Sequence, residues 1–208
     1  MEYNIKRPVE YSDMDINLNL SITGTLSILQ NMMTEFYGTF ESDNISLKKR
    51  NNAAWVYTKI KLHFMYNPKW REVLNFSSYI TKIKPARTEN ELSAKTEDGK
   101  AVFVAKLESC PIDLSTRKVR KLSDIDFPED IEVKEDSLKD GFKRLNFDSS
   151  SFNKVSERIV KLSDIDYTRH TNNVSYVRFI TDLLDSTVID KIVIKDFEIH
   201  YMSESSEG

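Results

Sequence analysis

Apolar residues near the start of the chain recur at the spacing of a buried helix. Ile22, Leu26, Leu29, Met33, Phe36 and Phe40 follow one another at intervals of three or four residues, which puts them on one face of a 3.6-residue turn. Ile28 and Met32 widen that face, as expected where a sheet wraps the helix. The pattern predicts a helix over roughly 21–42. After it the period falls to two. Residues 55–66 alternate, with Val56, Ile60, Leu62, Phe64 and Tyr66 assigned to one face. Residues 73–83, 88–97 and 101–112 read as further strands, and Asp98-Gly99 reads as a hairpin turn, because glycine supplies the positive φ that turn needs. Residues 3–11 also alternate. The order is one strand, one long helix and about four antiparallel strands.

Such an order predicts an α+β layer in which a curved antiparallel sheet buries the wide apolar face of one helix, a hot-dog architecture. The chain then repeats itself. Tyr11-Ser12-Asp13-Met14-Asp15 reappears 151 residues later as Leu162-Ser163-Asp164-Ile165-Asp166, and both segments run into a helical stripe. The second stripe is Val174, Val177, Ile180 and Leu184, predicting a helix over 172–185. Lys61-Leu62-His63-Phe64-Met65 likewise parallels Glu198-Ile199-His200-Tyr201-Met202, at an offset of 137. A third phrase, Leu122-Ser123-Asp124-Ile125-Asp126, leads into Phe127-Pro128 and reads as a turn. Residues 123–150 are rich in acids and end in a polar cluster, which reads as a linker, and 152–162 read as the first strand of the second repeat. The expectation is a tandem hot-dog: residues 1–125 as an N-terminal unit, 126–150 as linker and 151–208 as a C-terminal unit. Only 8 residues follow His200, so the second sheet is expected to lack strands that the first has.

Composition narrows the function. A net charge of −3 supplies no basic field for nucleic acid. The short basic runs Lys48-Lys49-Arg50, Arg117-Lys118 and Arg120-Lys121 read as solvated surface, with docking of an acidic protein as the second reading. The single cysteine, Cys110, lies in an apolar strand and reads as an inert buried thiol that suits a reducing compartment. The first residues lack the apolar core of a secretion signal, and no stretch approaches the ~20 apolar residues of a membrane span. A cytoplasmic protein without a membrane span is expected. Three histidines and one cysteine show no metal-ligand spacing, and no Gly-rich phosphate loop or Gly-x-Ser-x-Gly elbow is present. No metal and no cofactor are expected.

The segment from Leu162 to Tyr176, with Asp166, Thr168, His170, Asn172 and Asn173, resembles the signature of plant and bacterial acyl-acyl-carrier-protein thioesterases, in which Asp-x-Asn-x-His is followed by Val-Asn-Asn-Val and a tyrosine. Ile199 to Glu204 resembles that family's later strand, and Arg7 to Tyr11 and Ile112 to Arg117 also fit it. The resemblance spans nearly the whole chain. It implies a tandem hot-dog whose N-terminal half shapes an acyl pocket and whose C-terminal half carries the reacting groups. It implies Asp166, His170 and Glu204 as catalytic residues and an acyl carrier protein, with its phosphopantetheine-linked acyl chain, as partner. The family's asparagine falls at Thr168, which has a hydroxyl but no amide fork.

Thioester hydrolysis needs an activated water or a carboxylate nucleophile, and donors for the developing oxyanion. Glu204 suits either the base or the nucleophile role, His170 suits proton transfer near neutral pH, and Asp166 suits orienting the histidine or the backbone around it. The backbone N–H groups near Asn172 and Asn173 open a helix and suit the thioester oxygen. Met33 and Phe36 are candidates for the acyl pocket wall, with plain core as the alternative. The implied reaction is release of free fatty acid from acyl-acyl-carrier-protein in fatty acid biosynthesis. The alternatives are a non-catalytic acyl- or carrier-binding protein on the same fold, favoured by Thr168, and an acyl-coenzyme A thioesterase. A homodimer is compatible with either.

Overall fold

A computed structural model describes residues 1–146, 148–189 and 191–208. Strand β1 (Tyr3–Pro8) leads through a 3-10 turn at Tyr11–Asp13 into helix α1 (Ile22–Gly38) and the short helix α2 (Asn44–Asn51). Four strands follow: β2 (Ala53–Phe64), β3 (Val73–Lys84), β4 (Arg87–Thr96) and β5 (Ala101–Asp113). The second repeat supplies a 3-10 turn at Leu162–Asp164, helices α3 (Asn173–Thr181) and α4 (Ser186–Ile189), and strand β6 (Asp196–His200). The strands form one antiparallel sheet in the order β1-β3-β4-β5-β2-β6. The architecture is α+β, a tandem hot-dog. No helix among the described residues is long and apolar enough to cross a membrane.

Helix α1 starts where Ser21, with its backbone still extended, accepts the Gly24 N–H at 2.9 Å, satisfying one orphan donor of the first turn. Gly24 is required by close approach: a Cβ there would lie 2.2 Å from the Asp13 carbonyl oxygen. The helix buries Leu26, Leu29, Met32, Met33 and Phe36 against the sheet, and each such side chain contributes about 1.5–3 kcal/mol of transfer free energy. On the facing strand the alternation is not continuous. A bulge between Tyr57 and Lys59 shifts the phase, so Trp55 and Tyr57, not Val56, continue the core face of Ile60, Leu62 and Phe64.

The repeat is visible as symmetry in the sheet. Strand β6 pairs with β2, with Lys61 opposite Glu198, Lys59 opposite His200 and His63 opposite Asp196. These pairs map onto one another at the 137-residue offset, so a pseudo-two-fold axis passes through the Lys61–Glu198 pair. The turns obey the same relation. Ser21 N–H donates to the Asp13 carbonyl and Asn172 N–H to the Asp164 carbonyl, both at 2.9 Å. Leu20 N–H donates to Pro68 and Thr171 N–H to Ser205.

Two expectations change. Residues 152–161 form no strand. In the first repeat β1 is held by β3, whereas among the described residues no strand pairs with this segment. The second helix stops at Thr181, because Asp185 turns its carboxylate onto the Thr187 N–H at 2.8 Å and opens α4 separately. The acidic stretch read as a linker packs on the sheet. Lys134 N–H donates to the Ile80 carbonyl at 2.9 Å, Glu91 accepts the Ser137 N–H at 2.7 Å, and the buried Lys106 ammonium donates to the Leu138 carbonyl at 2.7 Å while pairing with Asp136. Residues 134–138 thus strap the outer face of β3, β4 and β5.

Candidate active site

The loop between Asp164 and Asn172 is closed on itself before any reactive group is placed. The Asp164 side chain is fully buried and accepts the Lys161 N–H at 3.0 Å and the Arg178 guanidinium at 2.6 Å. Those donors, the Lys161 N–H foremost, hold its carboxyl below the usual aspartate value. One turn on, Asp166 accepts the Thr168 N–H at 2.8 Å and the Thr168 hydroxyl at 2.6 Å. Its own N–H donates to the His170 carbonyl at 2.9 Å. Arg169 takes a left-handed φ of 65° to close the turn. The Asp166 carboxylate therefore organises the backbone around His170 and is engaged by Thr168 rather than by the imidazole.

His170 Nδ1 lies 2.9 Å from the Thr168 carbonyl oxygen. A carbonyl only accepts, so Nδ1 carries the proton and Nε2 presents its lone pair to the cavity. Nε2 faces Glu204 Oε2 at 3.6 Å. Glu204 is brought there by its neighbour: the Ser205 hydroxyl lies 2.8 Å from the Tyr176 hydroxyl and 2.7 Å from that of Thr171, which stitches the segment after β6 to α3. Arg117, from the turn after β5, grips the other side of the carboxylate, with Nε donating to Oε2 at 3.1 Å and Nη2 to Oε1. Asn172 caps α3 by accepting the Val174 N–H at 2.8 Å. Its own N–H is already used on Asp164, so it is not an oxyanion donor. The Asn173 N–H, at the start of α3, has no partner among the described residues.

These groups line one cavity of about 310 Å³. Asp166, Thr168, His170, Asn173 and Glu204 form one wall, and Tyr57, Cys110, Gln30 and Thr34 belong to the first repeat. Met33 and Phe36 are buried in the core and do not line it; α1 presents Gln30 and Thr34 there instead. Burial pushes the Cys110 thiol up, which disfavours the thiolate a nucleophile needs. Among the described residues no group of three or more His, Cys, Asp or Glu side chains is placed to hold a metal. Arg117 and Tyr57 were not anticipated as site residues. Arg117 is one member of a basic run, and Tyr57 reaches the cavity through a bulge that alternation does not reveal.

The pseudo-two-fold axis generates a second cavity of about 490 Å³ that contains Asp15, Ile16, Leu20 and Asn67. Its turn is intact, with Asp15 accepting the Asn17 and Asn19 N–H groups at 2.8 and 3.0 Å. Asn19 stands where the other turn has His170, and Asn67 where it has Glu204. The frame is duplicated and the imidazole–carboxylate pair is not.

Residues 1–129 match the acyl-ACP thioesterase N-terminal domain and residues 148–208 the acyl-ACP thioesterase C-terminal domain. No curated protein matches the sequence significantly. Among solved structures, an acyl-ACP thioesterase from Bacteroides thetaiotaomicron is 22% identical with a TM-score of 0.87, covering 100% of this chain and 83% of that one. The 12:0-ACP thioesterase from Umbellularia californica is 14% identical with a TM-score of 0.80, covering 99% and 84%. A 1,4-dihydroxy-2-naphthoyl-CoA thioesterase from Synechocystis, 15% identical with a TM-score of 0.54, covers 59% of this chain and 90% of its own.

Proposed function

Because the chain belongs to the acyl-ACP thioesterase family and is a thioester hydrolase, we propose that His170 and Glu204 carry the hydrolysis of acyl-acyl-carrier-protein, with Asp166 as the residue that holds their loop. The observation that carries this reading is the 3.6 Å approach of His170 Nε2 to Glu204 Oε2 across one cavity. The thioester carbonyl enters with its oxygen toward the Asn173 N–H, at the positive end of α3. Glu204 takes a proton from water as the water attacks the carbonyl carbon. The tetrahedral intermediate collapses with cleavage of the C–S bond; Glu204 passes the proton it took to His170 Nε2, 3.6 Å away, and Nε2 delivers it to the departing phosphopantetheine sulfur, which regenerates the carboxylate and the neutral imidazole. Thr168, in place of the family's asparagine, spends its hydroxyl on Asp166 and its carbonyl on His170, so its part is structural.

The acyl chain runs between the repeats, past Tyr57 toward Gln30 and Thr34, so the first repeat shapes the pocket and the second does the chemistry. The free fatty acid released, the acyl carrier protein as partner, fatty acid biosynthesis as the process and the cytoplasm as the place form one consistent reading. Pairing of β2 with β6 supplies within one chain a contact between two hot-dogs, and a homodimer is to be tested by light scattering. The decisive experiment is hydrolysis of acyl-acyl-carrier-protein and acyl-coenzyme A by the full chain and its Glu204→Gln and His170→Ala variants. Both variants are expected to lose about 10²–10⁴-fold in kcat while still binding the acyl chain. Full activity of Glu204→Gln refutes the assignment.

A further inference from the structure

We infer that Arg117 is a positioning residue that holds the Glu204 carboxylate against His170 from the opposite repeat. The inference rests on Glu204 being the reactive carboxylate. Glu204 is 40% exposed and belongs to a segment with no regular secondary structure after β6; the hydrogen bonds of Ser205 place its backbone but leave the rotation of its side chain unset. The guanidinium sets that rotation. Its Nε and Nη2 take one lone pair on each carboxylate oxygen, a planar fork that fixes both the position and the rotation of the group. A carboxylate has about four such lone-pair sites. Two remain for His170 and for a water, so the clamp orients the base without exhausting it.

The turn that carries Arg117 is rigid in a way a solvated basic run is not. Asp113 accepts the Ser115 and Thr116 N–H groups at 3.0 and 2.8 Å, and the Arg117 N–H donates to the Asp113 carbonyl at 2.9 Å. From the end of α2, Asn52 pins the turn twice: its carbonyl accepts the Leu114 N–H and its amide donates to the Ser115 hydroxyl at 2.8 Å. Arg117 itself sits at φ 58°, a left-handed conformation that costs a non-glycine residue about 1–2 kcal/mol. That strain aims its side chain across the cavity mouth at the second repeat. The neighbouring Lys118 and Lys121 are placed by the same strand end and have no such target among the described ion pairs.

The test compares the full chain with its Arg117→Ala, Arg117→Lys and Glu204→Gln variants on acyl-acyl-carrier-protein and on the acyl-pantetheine thioester of the same chain. Arg117→Ala is expected to lose ~10–100-fold in kcat on both substrates, the cost of a misplaced catalytic group, with KM within about twofold. Added guanidinium ion is expected to restore part of that loss, and Arg117→Lys less, because an ammonium is a point charge without the fork. If Arg117→Ala folds poorly, Arg117→Gln is read in the same way. Wild-type kcat on acyl-pantetheine with a raised KM on the carrier substrate alone overturns the inference, since Arg117 would then dock the carrier. So does a loss that guanidinium leaves untouched and that tracks a lowered melting temperature. An inactive Glu204→Gln beside a fully active Arg117→Ala removes this inference alone; an active Glu204→Gln removes the underlying assignment.

Discussion

Lys61 and Glu198 face each other across β2 and β6 and occupy the same position in the two repeats. Their pairing makes the sheet continuous through the pseudo-two-fold axis, and that continuity carries the second repeat's β6, and with it Glu204, to the edge of the first repeat's pocket. The Lys61 ammonium lies 4.0 Å from Glu198 Oε2. Glu198 also accepts the Lys143 N–H at 2.7 Å and faces His200 Nε2 at 2.9 Å.

Glu198→Ala is therefore expected to destabilise the fold by about 1–3 kcal/mol, because it removes the counter-charge of Lys61, leaving that ammonium only the Gly141 carbonyl at 3.1 Å, and frees the linker at Lys143. Urea denaturation of the variant checks this. Glu198→Gln keeps both acceptor and shape and is expected to lose less.

The repeat and its long helix were legible because they rest on local rules: an Asp-rich turn, a capping residue and a stripe of apolar side chains at helical spacing. Asp13 and Asp164, Ser21 and Asn172, and Asp15 and Asp166 fall at matching places because the same backbone hydrogen bonds close both turns. The positions that escaped depend on contacts across long sequence distances. Arg117 lies 87 positions from Glu204, and nothing in its basic neighbourhood distinguishes it from a solvated charge. The phase shift at Thr58 is a bulge, which breaks the alternation used to assign faces. Residues 152–161 carry the apolar side chains Phe152, Val155, Ile159 and Val160, yet a strand exists only where a partner pairs with it.

Gly24 tests the coupling of α1 to the first Asp-rich turn. A Cβ at Gly24 would meet the Asp13 backbone at 2.2 Å, and backbone cannot rotate away. Gly24→Ala is expected to cost about 3 kcal/mol. Gly38→Ala, at the end of the same helix with nothing within 4 Å of its Cβ, is expected to be neutral or to add up to about 1 kcal/mol through helix propensity. The two denaturation midpoints should move in opposite directions or differ by the full cost at Gly24.

The buried Asp164 predicts an acid limb. The Lys161 N–H and then Arg178 hold its carboxyl below the ordinary aspartate value, so the folded state binds this proton less tightly than the unfolded chain does. The stability this confers is complete above the ordinary value near pH 4 and is lost as the pH falls through the lowered one. Asp164→Asn is expected to be less stable at pH 7 and to show a smaller further drop between pH 5 and pH 3 than the wild type. Its loop from 164 to 172 carries His170, so kcat should fall with stability. An unchanged acid limb in the variant would place the titrating group elsewhere.

The wall of the acyl pocket separates two residues one position apart on α1. Met33 is buried in the core beneath the sheet, its sulfur 3.8 Å from the Ser78 hydroxyl, whereas Thr34 lines the cavity that holds His170 and Glu204. Truncating Met33 removes packed methylene groups and leaves a void, so Met33→Ala is expected to cost about 2–5 kcal/mol with an unchanged order of preference among acyl chains. Thr34→Trp adds bulk where the chain is proposed to lie and leaves the core alone. It is expected to depress kcat/KM for long acyl-carrier substrates more than for short ones, at near wild-type stability. A chain-length series assayed on both variants decides the point. A shifted preference in Met33→Ala would make the buried face of α1 the acyl wall, and an unshifted one in Thr34→Trp would move the acyl chain out of this cavity.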